Sequence, residues 1–162
     1  MMSTQDSFYE VGLPAKIGAY VFMLWSVLHV WVGFEGVHQY LSGGTTGLWN
    51  MLIGGSAVPR SAFIHATDAV TLFAQGQLIL NFCIDVGGYG VLGFFVSWLI
   101  LKRASWVGYT LGLIVIGIAD LTFLFAMVVS GVIELNAGTV AGPVLWFIAI
   151  AITPFGLPKL RQ

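Results

Sequence analysis

The chain has 162 residues, of which 58% are hydrophobic and 8% are charged, and its mean hydropathy is +0.94. A soluble domain carries about 25% charged residues, so this composition predicts a protein that lies in a lipid bilayer. A formal net charge of -1 without a basic run gives no reason to expect a nucleic-acid partner. The single cysteine excludes an internal disulfide and a zinc site built from cysteines.

The first predicted transmembrane helix covers residues 17–41, IGAYVFMLWSVLHVWVGFEGVHQYL, after a polar tail over residues 1–13. Crossing about 30 Å of hydrocarbon takes about 20 mostly apolar residues, so this stretch is long enough to span. It also carries three titratable side chains, His29, Glu35 and His38. A charge at mid-depth costs roughly 2.5 to 3.5 kcal/mol, so such groups normally face protein or a water-filled cavity. The first helix is therefore expected to need neighbouring helices.

An interfacial segment is predicted to follow, over residues 48–76. Residues 42–47, SGGTTG, are rich in glycine and hydroxyl groups and predict a loop. The next stretch is apolar but too short and too interrupted by glycine to cross a membrane. Residues 61–76 have helical spacing and form either an interfacial helix or an outward extension of the next span.

Three further spans are predicted at residues 77–101, 106–132 and 140–157. With four spans, one side of the membrane collects five of the six basic residues and leaves only Arg60 on the other. Those five are Lys16, Lys102, Arg103, Lys159 and Arg161. The positive-inside rule then places both termini in the cytoplasm, and we expect a bacterial cytoplasmic membrane. The predicted fold is an all-α integral membrane protein, a bundle of four transmembrane helices with an extracytoplasmic interfacial helical segment between the first two.

Three polar side chains on different predicted helices fall at nearly the same depth. Counted at 1.5 Å per residue from the cytoplasmic ends, His29 lies about 20 Å deep, Asp120 about 21 Å and Asp85 about 25 Å. A contact between His29 and Asp120 would offset the cost of burying both. We interpret the set as a structural contact between helices, as a proton or ligand site that includes Asn81, or as carboxyl groups without a role.

A second group of polar residues is predicted near the extracytoplasmic side. Glu35 and His38 are three residues apart on one helix face, and His65 and Asp68 repeat that spacing with the order reversed. Such pairs ligate iron, zinc, manganese or copper in helix bundles, and Asp85 with Asn81 would complete a single-metal site. The full pattern of carboxylate-bridged sites requires a second E-x-x-H motif and further glutamates, which the spans lack. The alternatives are exposed polar residues at the membrane surface, or His38 and His65 as axial haem ligands.

These patterns lead to one functional hypothesis and two alternatives. The first is a non-catalytic membrane subunit or binding module, in which His29, Asp85 and Asp120 hold the helices together and bind or conduct a small ligand or proton. Its expected surroundings are the lipid bilayer and a homo-oligomer or a larger membrane complex. The alternatives are a metal- or haem-dependent membrane redox protein or enzyme, and a small proton-coupled transporter. The sequence favours a role other than an enzyme and does not identify the ligand.

Overall fold

The computed structural model describes residues 10–159, and within that range the chain forms helices and loops but no strand. Four helices are long and apolar enough to cross a membrane: α1 (Leu13–Leu52), α2 (Ala69–Arg103), α3 (Trp106–Val129) and α4 (Ala137–Gly156). The all-α class and the four candidate spans are therefore confirmed. Residues 1–9 of the predicted tail lie outside the described residues, as does Arg161.

Helix α1 extends well beyond its predicted end at residue 41. The prediction of a loop at residues 42–47 is therefore wrong. The helix continues to Leu52 and kinks at Gly44, whose φ of 58° and ψ of -150° are not helical. Glycine adopts this backbone conformation without the steric penalty that other residues meet. The kink allows the last turns of α1 to pack Leu48 and Leu52 against α2.

The interfacial helix expected between the first two spans is not formed, since residues 53–68 are irregular. The helical spacing over residues 61–76 corresponds to a helix only from Ala69 onward, where it is the outward extension of α2. Asp68 caps this helix, and its Oδ1 accepts a hydrogen bond of 2.8 Å from the backbone N–H of Thr71. An acidic N-cap satisfies one of the unpaired amides of a first helical turn.

Helices α1 and α2 pack closely because small residues line their contact. A Cβ added to Gly33 would lie 2.7 Å from Cα of Gly87, and one added to Gly90 would lie 2.7 Å from the backbone N of Val30. Buried residues recur on α2 about every seven residues, at Gly76, Cys83, Gly90 and Ser97. This small-residue face brings the two backbones together, as is typical of helix packing in membranes.

Two hydrophobic cores hold the helices together. The first core draws on all four helices, and its members include Phe22, Trp25, Val96, Ile100, Ile116 and Trp146. The second core lies around the kinked end of α1 and consists of Leu48, Leu52, Ile79, Cys83 and Ile133. The first core joins the pair α1 and α2 to the pair α3 and α4.

Backbone hydrogen bonds also join these two helix pairs at both ends of the molecule. Where α1 begins, the N–H of Gly12 donates to the carbonyl of Gly156 at 2.9 Å. At the opposite end, the N–H of Ala57 donates to the carbonyl of Gly131 at 2.9 Å. Beside this loop contact, Arg60 and Glu134 form an exposed ion pair at 3.6 Å.

Helix α3 is interrupted by two π-helical segments, Gly112–Ile116 and Leu124–Val129. The ordinary α-helical turns between them, Gly117–Phe123, carry Asp120. Trp146 of α4 donates its indole N–H to the carbonyl of Gly112, in the first π-helical segment, at 2.9 Å. Because π-helical turns occur frequently at functional sites, the position of Asp120 between two of them singles out this part of α3.

Candidate functional site

The carboxylate of Asp120 lies in the protein interior, where α1, α3 and α4 meet. Its side chain is 3% exposed, while that of His29, the partner from α1, is 17% exposed. Trp25, one helical turn before His29, is fully buried. A carboxyl group so far removed from water requires hydrogen-bond partners within the protein.

Two side chains of α1 supply these partners. The indole N–H of Trp25 donates to Oδ2 of Asp120 at 2.7 Å, and Nε2 of His29 lies 3.4 Å from Oδ1. The rings of Trp25 and His29 stack with centroids 3.7 Å apart and an interplanar angle of 21°. We call Trp25, His29 and Asp120 the buried cluster.

The second ring nitrogen of His29 determines how many protons the buried cluster holds. Nδ1 lies 2.8 Å from the carbonyl oxygen of Trp25, which only accepts hydrogen bonds, so Nδ1 carries a proton. Nε2 then faces Asp120 either as an N–H donor to a carboxylate or as an acceptor from a carboxylic acid. Both arrangements place one proton between Nε2 and Oδ1 and leave the pair neutral overall. Without that proton, a ring lone pair would face an anion.

Helix α4 closes the remaining side of the cluster with backbone alone. A Cβ added at Gly142 would lie 2.8 Å from Cε1 of His29 and 3.5 Å from Oδ1 of Asp120. Even a methyl group at this position therefore overlaps the imidazole. Sequence reasoning missed Gly142 and also Trp25, although a tryptophan one turn from a buried histidine signals an indole N–H that needs an acceptor.

Asp85 and Asn81, the other predicted members of this site, lie elsewhere on α2. Both are exposed, and the amide of Asn81 donates to Oδ2 of Asp85 at 2.9 Å. Cys83 faces α1, and a residue two positions along a helix is rotated by about 200°, which turns Asp85 to the opposite face. The structure thus brings His29 and Asp120 together and separates Asp85 from them.

Glu35 and His38 are neighbours on α1, as their spacing predicts. Oε1 of Glu35 accepts a hydrogen bond of 2.6 Å from the side chain of Gln39, and Nδ1 of His38 lies 3.8 Å from the same oxygen. The side chain of His38 is 59% exposed. This pair offers two ligand groups at the surface of α1.

The second predicted pair, His65 and Asp68, does not join the first. The ring of His65 packs edge-on against Phe63 with centroids 5.0 Å apart. Asp68 caps α2, and the hydrogen bond from the backbone N–H of Thr71 lowers the pKa of its carboxyl below the ordinary value. Within residues 10–159, no group of three or more histidine, cysteine, aspartate or glutamate side chains is arranged to hold a metal ion. Neither the metal nor the haem hypothesis gains support from this geometry.

Comparison of the chain with protein-family models, curated proteins and solved structures finds no match. Among the predicted site residues, Asp120 is the most deeply buried titratable group, and His29 is its partner. The buried cluster sets an imidazole nitrogen 3.4 Å from a carboxyl oxygen, and an indole N–H holds the other oxygen of that carboxyl.

Proposed function

We propose that this protein is a polytopic membrane protein that acts as a non-catalytic subunit or binding module, and that His29 and Asp120 bind one proton between them. The observation that carries the proposal is the contact of Nδ1 of His29 with the carbonyl of Trp25. Because this contact fixes one ring proton, the second ring nitrogen and Asp120 need exactly one further proton to face each other favourably.

The surface of the helices supports placement in a membrane. Large apolar side chains are exposed along all four helices, among them Leu24, Phe34, Leu78, Ile118 and Phe147. Soluble monomers rarely expose apolar surface on this scale, whereas lipid tails would cover it. The described basic residues other than Arg60 lie in the first turn of α1, the last turn of α2 and the segment after α4. The positive-inside rule then puts this end in the cytoplasm.

The close packing around the buried cluster supports a proton as the ligand in preference to a larger molecule. The backbone at Gly142 leaves no room for a methyl group beside His29. Every polar atom of the Asp120 carboxyl already has a neighbour from α1, Trp25 on one side and His29 on the other. A proton can be bound or lost here with these contacts in place, whereas a larger ligand would have to displace one of them.

Infrared and nitrogen NMR spectra of the protein in lipid nanodiscs test this proposal. With 13C-labelled aspartate and 15N-labelled histidine, the carboxyl band of Asp120 and the Nε2 signal of His29 are expected to change together over one pH interval. The Asp120→Asn variant is expected to remove both the carboxyl band and the coupled change of the His29 signal. Separate changes of the two groups in the wild type, or an ionised carboxylate beside a neutral imidazole at every pH at which the protein stays folded, would contradict a shared proton.

Asp85→Asn is the matched control for these spectra. The substitution removes a carboxyl near the middle of an apolar helix, as Asp120→Asn does, but on the face that turns away from α1. The signals of His29 and Asp120 are therefore expected to remain as in the wild type. A changed His29 signal in this variant would show that the buried cluster and the outer face are coupled.

A further inference from the structure

The outer face of α2 carries two polar side chains at a position where lipid would be expected. Asn81 and Asp85 lie near the middle of α2 (Ala69–Arg103), and both are exposed. The hydrogen bond from Asn81 engages one oxygen of Asp85, whereas a carboxylate accepts about four hydrogen bonds. Most of the hydrogen-bonding capacity of this carboxylate is therefore unused within the described part of the chain.

In a membrane this arrangement is unfavourable unless something covers it, so the inference rests on the membrane insertion proposed above. An aspartate at the centre of a transmembrane helix costs roughly 2.5 to 3.5 kcal/mol by insertion scales. Asp120 meets this cost with Trp25 and His29, while Asp85 has only the amide of Asn81. A partner that donates to Asp85 would remove the difference.

The residues around Asp85 have the spacing of a helix-packing seam. Alternating steps of four and three residues along one face give the outer seam of α2, which consists of Ala74, Leu78, Asn81, Asp85, Gly88, Leu92 and Phe95. This is the repeat by which two helices pack along their length. Asp85, Gly88 and Leu92, together with Ile84 and Tyr89 beside them, line a shallow groove. The seam therefore has the spacing along which a second helix packs, and the groove lies on it.

Gly88 is the position on this seam where the backbone of another helix can come closest to α2, because glycine has no side chain. A Cβ added there would meet nothing within 4 Å, in contrast to Gly90 and Gly93, which lie against α1. Packing among the residues that the structure describes gives no reason for a glycine at position 88. A partner backbone that crosses at Gly88 would come close to Asp85, one turn earlier.

The charge of the seam decides between a second copy and a different protein. A second copy in the same membrane orientation would place Asp85 opposite Asp85, which brings like charges together. The five basic residues within residues 10–159 all lie in terminal turns of helices or in loops, far from the middle of a span. We propose that the outer seam of α2 docks a transmembrane helix of a different protein that carries a lysine or arginine at mid-depth.

Designed transmembrane peptides in nanodiscs test this docking surface directly. The probes are fluorescent polyleucine helices with one central residue, which is arginine, leucine or glutamate. The arginine peptide is expected to bind the wild-type protein at least tenfold more tightly than the other two. Asp85→Leu is expected to abolish that preference.

Gly88→Leu tests the shape of the seam without removing its charge. Since position 88 faces open space in this chain, the variant is expected to keep its helix content and its His29 spectrum while it binds the arginine peptide several-fold more weakly. Val91→Leu adds bulk at a residue that is 63% exposed and lies off the seam, and its binding is expected to equal that of the wild type.

The outcomes separate this inference from the proposed function. Equal binding of the three peptides by an inserted protein with a normal His29 spectrum overturns the docking surface alone. Self-association of the wild type that Asp85→Leu abolishes also overturns it, because the occupant is then a second copy. Extraction of the protein from membranes by alkaline carbonate overturns both membrane insertion and the docking surface that depends on it.

Discussion

Two aspartates near the middle of apolar helices have opposite surroundings in this protein. Asp120 has a side chain that is 3% exposed and neighbours Trp25 and His29. Asp85 is exposed, and within residues 10–159 its hydrogen-bond partner is Asn81 on its own helix. Depth along the helix is similar for both, so the difference arises from the direction in which each side chain leaves its helix. A carboxyl that points inward is a constraint on packing, and one that points outward is available to another molecule.

Alanine substitution of the two aspartates should separate them most clearly. Asp120→Ala leaves the indole of Trp25 and Nε2 of His29 without their acceptor, and we expect a loss of about 3 kcal/mol in the free energy of unfolding. Asp85 faces the surroundings both before and after the helices separate, so Asp85→Ala should change that free energy by less than about 0.5 kcal/mol. Detergent-induced unfolding in bicelles, followed by helical circular dichroism, measures both.

Asp120→Asn is the control for this pair, because its amide oxygen still accepts from Trp25 and its amide N–H can donate to Nε2 of His29. We expect less than half the loss that alanine causes at the same position. Equal losses for the alanine variants at positions 120 and 85 would contradict the difference between the two environments.

Substitution of Gly142, beside Asp120, and of Gly88, near Asp85, should give a smaller difference in the free energy of unfolding between the same two environments. Gly142→Ala places a methyl 2.8 Å from Cε1 of His29, so α4 must move away, and we expect a loss of about 1 to 2 kcal/mol in the free energy of unfolding. Gly88→Ala meets nothing within 4 Å and should leave the stability unchanged or raise it by up to about 1 kcal/mol, through helix propensity. The same unfolding experiment measures both, and a larger loss at position 88 would place an unrecognised contact there.

The smallest expected effect is at the start of α2, away from both aspartates. Because the Thr71 N–H lowers the pKa of Asp68 from 3.8, the cap stabilises the first turn above that value and loses its effect as the pH falls through the lowered pKa. Protection of the Thr71 amide from hydrogen exchange should therefore fall on acidification. Asp68→Asn should keep a cap that does not depend on pH, and Asp68→Ala should expose the amide at neutral pH. Unchanged protection in the alanine variant would show that the cap is dispensable.

The four candidate spans could be predicted from the sequence because long apolar runs leave little choice of structure in lipid. The course of the chain between the first two spans could not. SGGTTG has the composition of a loop, yet burial of Thr45, Leu48 and Leu52 continues the helix past a kink at Gly44. Tertiary packing therefore overrides local composition here.

The contact of His29 with Asp120 follows a depth estimate, but the separation of Asp85 requires knowledge of helix faces. That knowledge was present in the sequence, since Gly76, Cys83, Gly90 and Ser97 recur every seven residues and mark the inner face of α2. Asp85, two residues after Cys83, falls outside that pattern. The metal hypothesis depended instead on His65 and Asp68 lying one turn apart on a helix. Because that segment is irregular, their spacing does not place them on one face.

The backbone hydrogen bonds that join the helix pairs at both ends restrict how the two pairs can move relative to each other. Gly12 is bonded to Gly156 at one end and Ala57 to Gly131 at the other. The helix pairs therefore cannot separate at either end without breaking one of these hydrogen bonds. Any rearrangement of the helices would then be confined to the middle of the molecule, where the two π-helical segments of α3 flank Asp120. Such a rearrangement would change the sides of the helices and leave the two ends of the molecule in place.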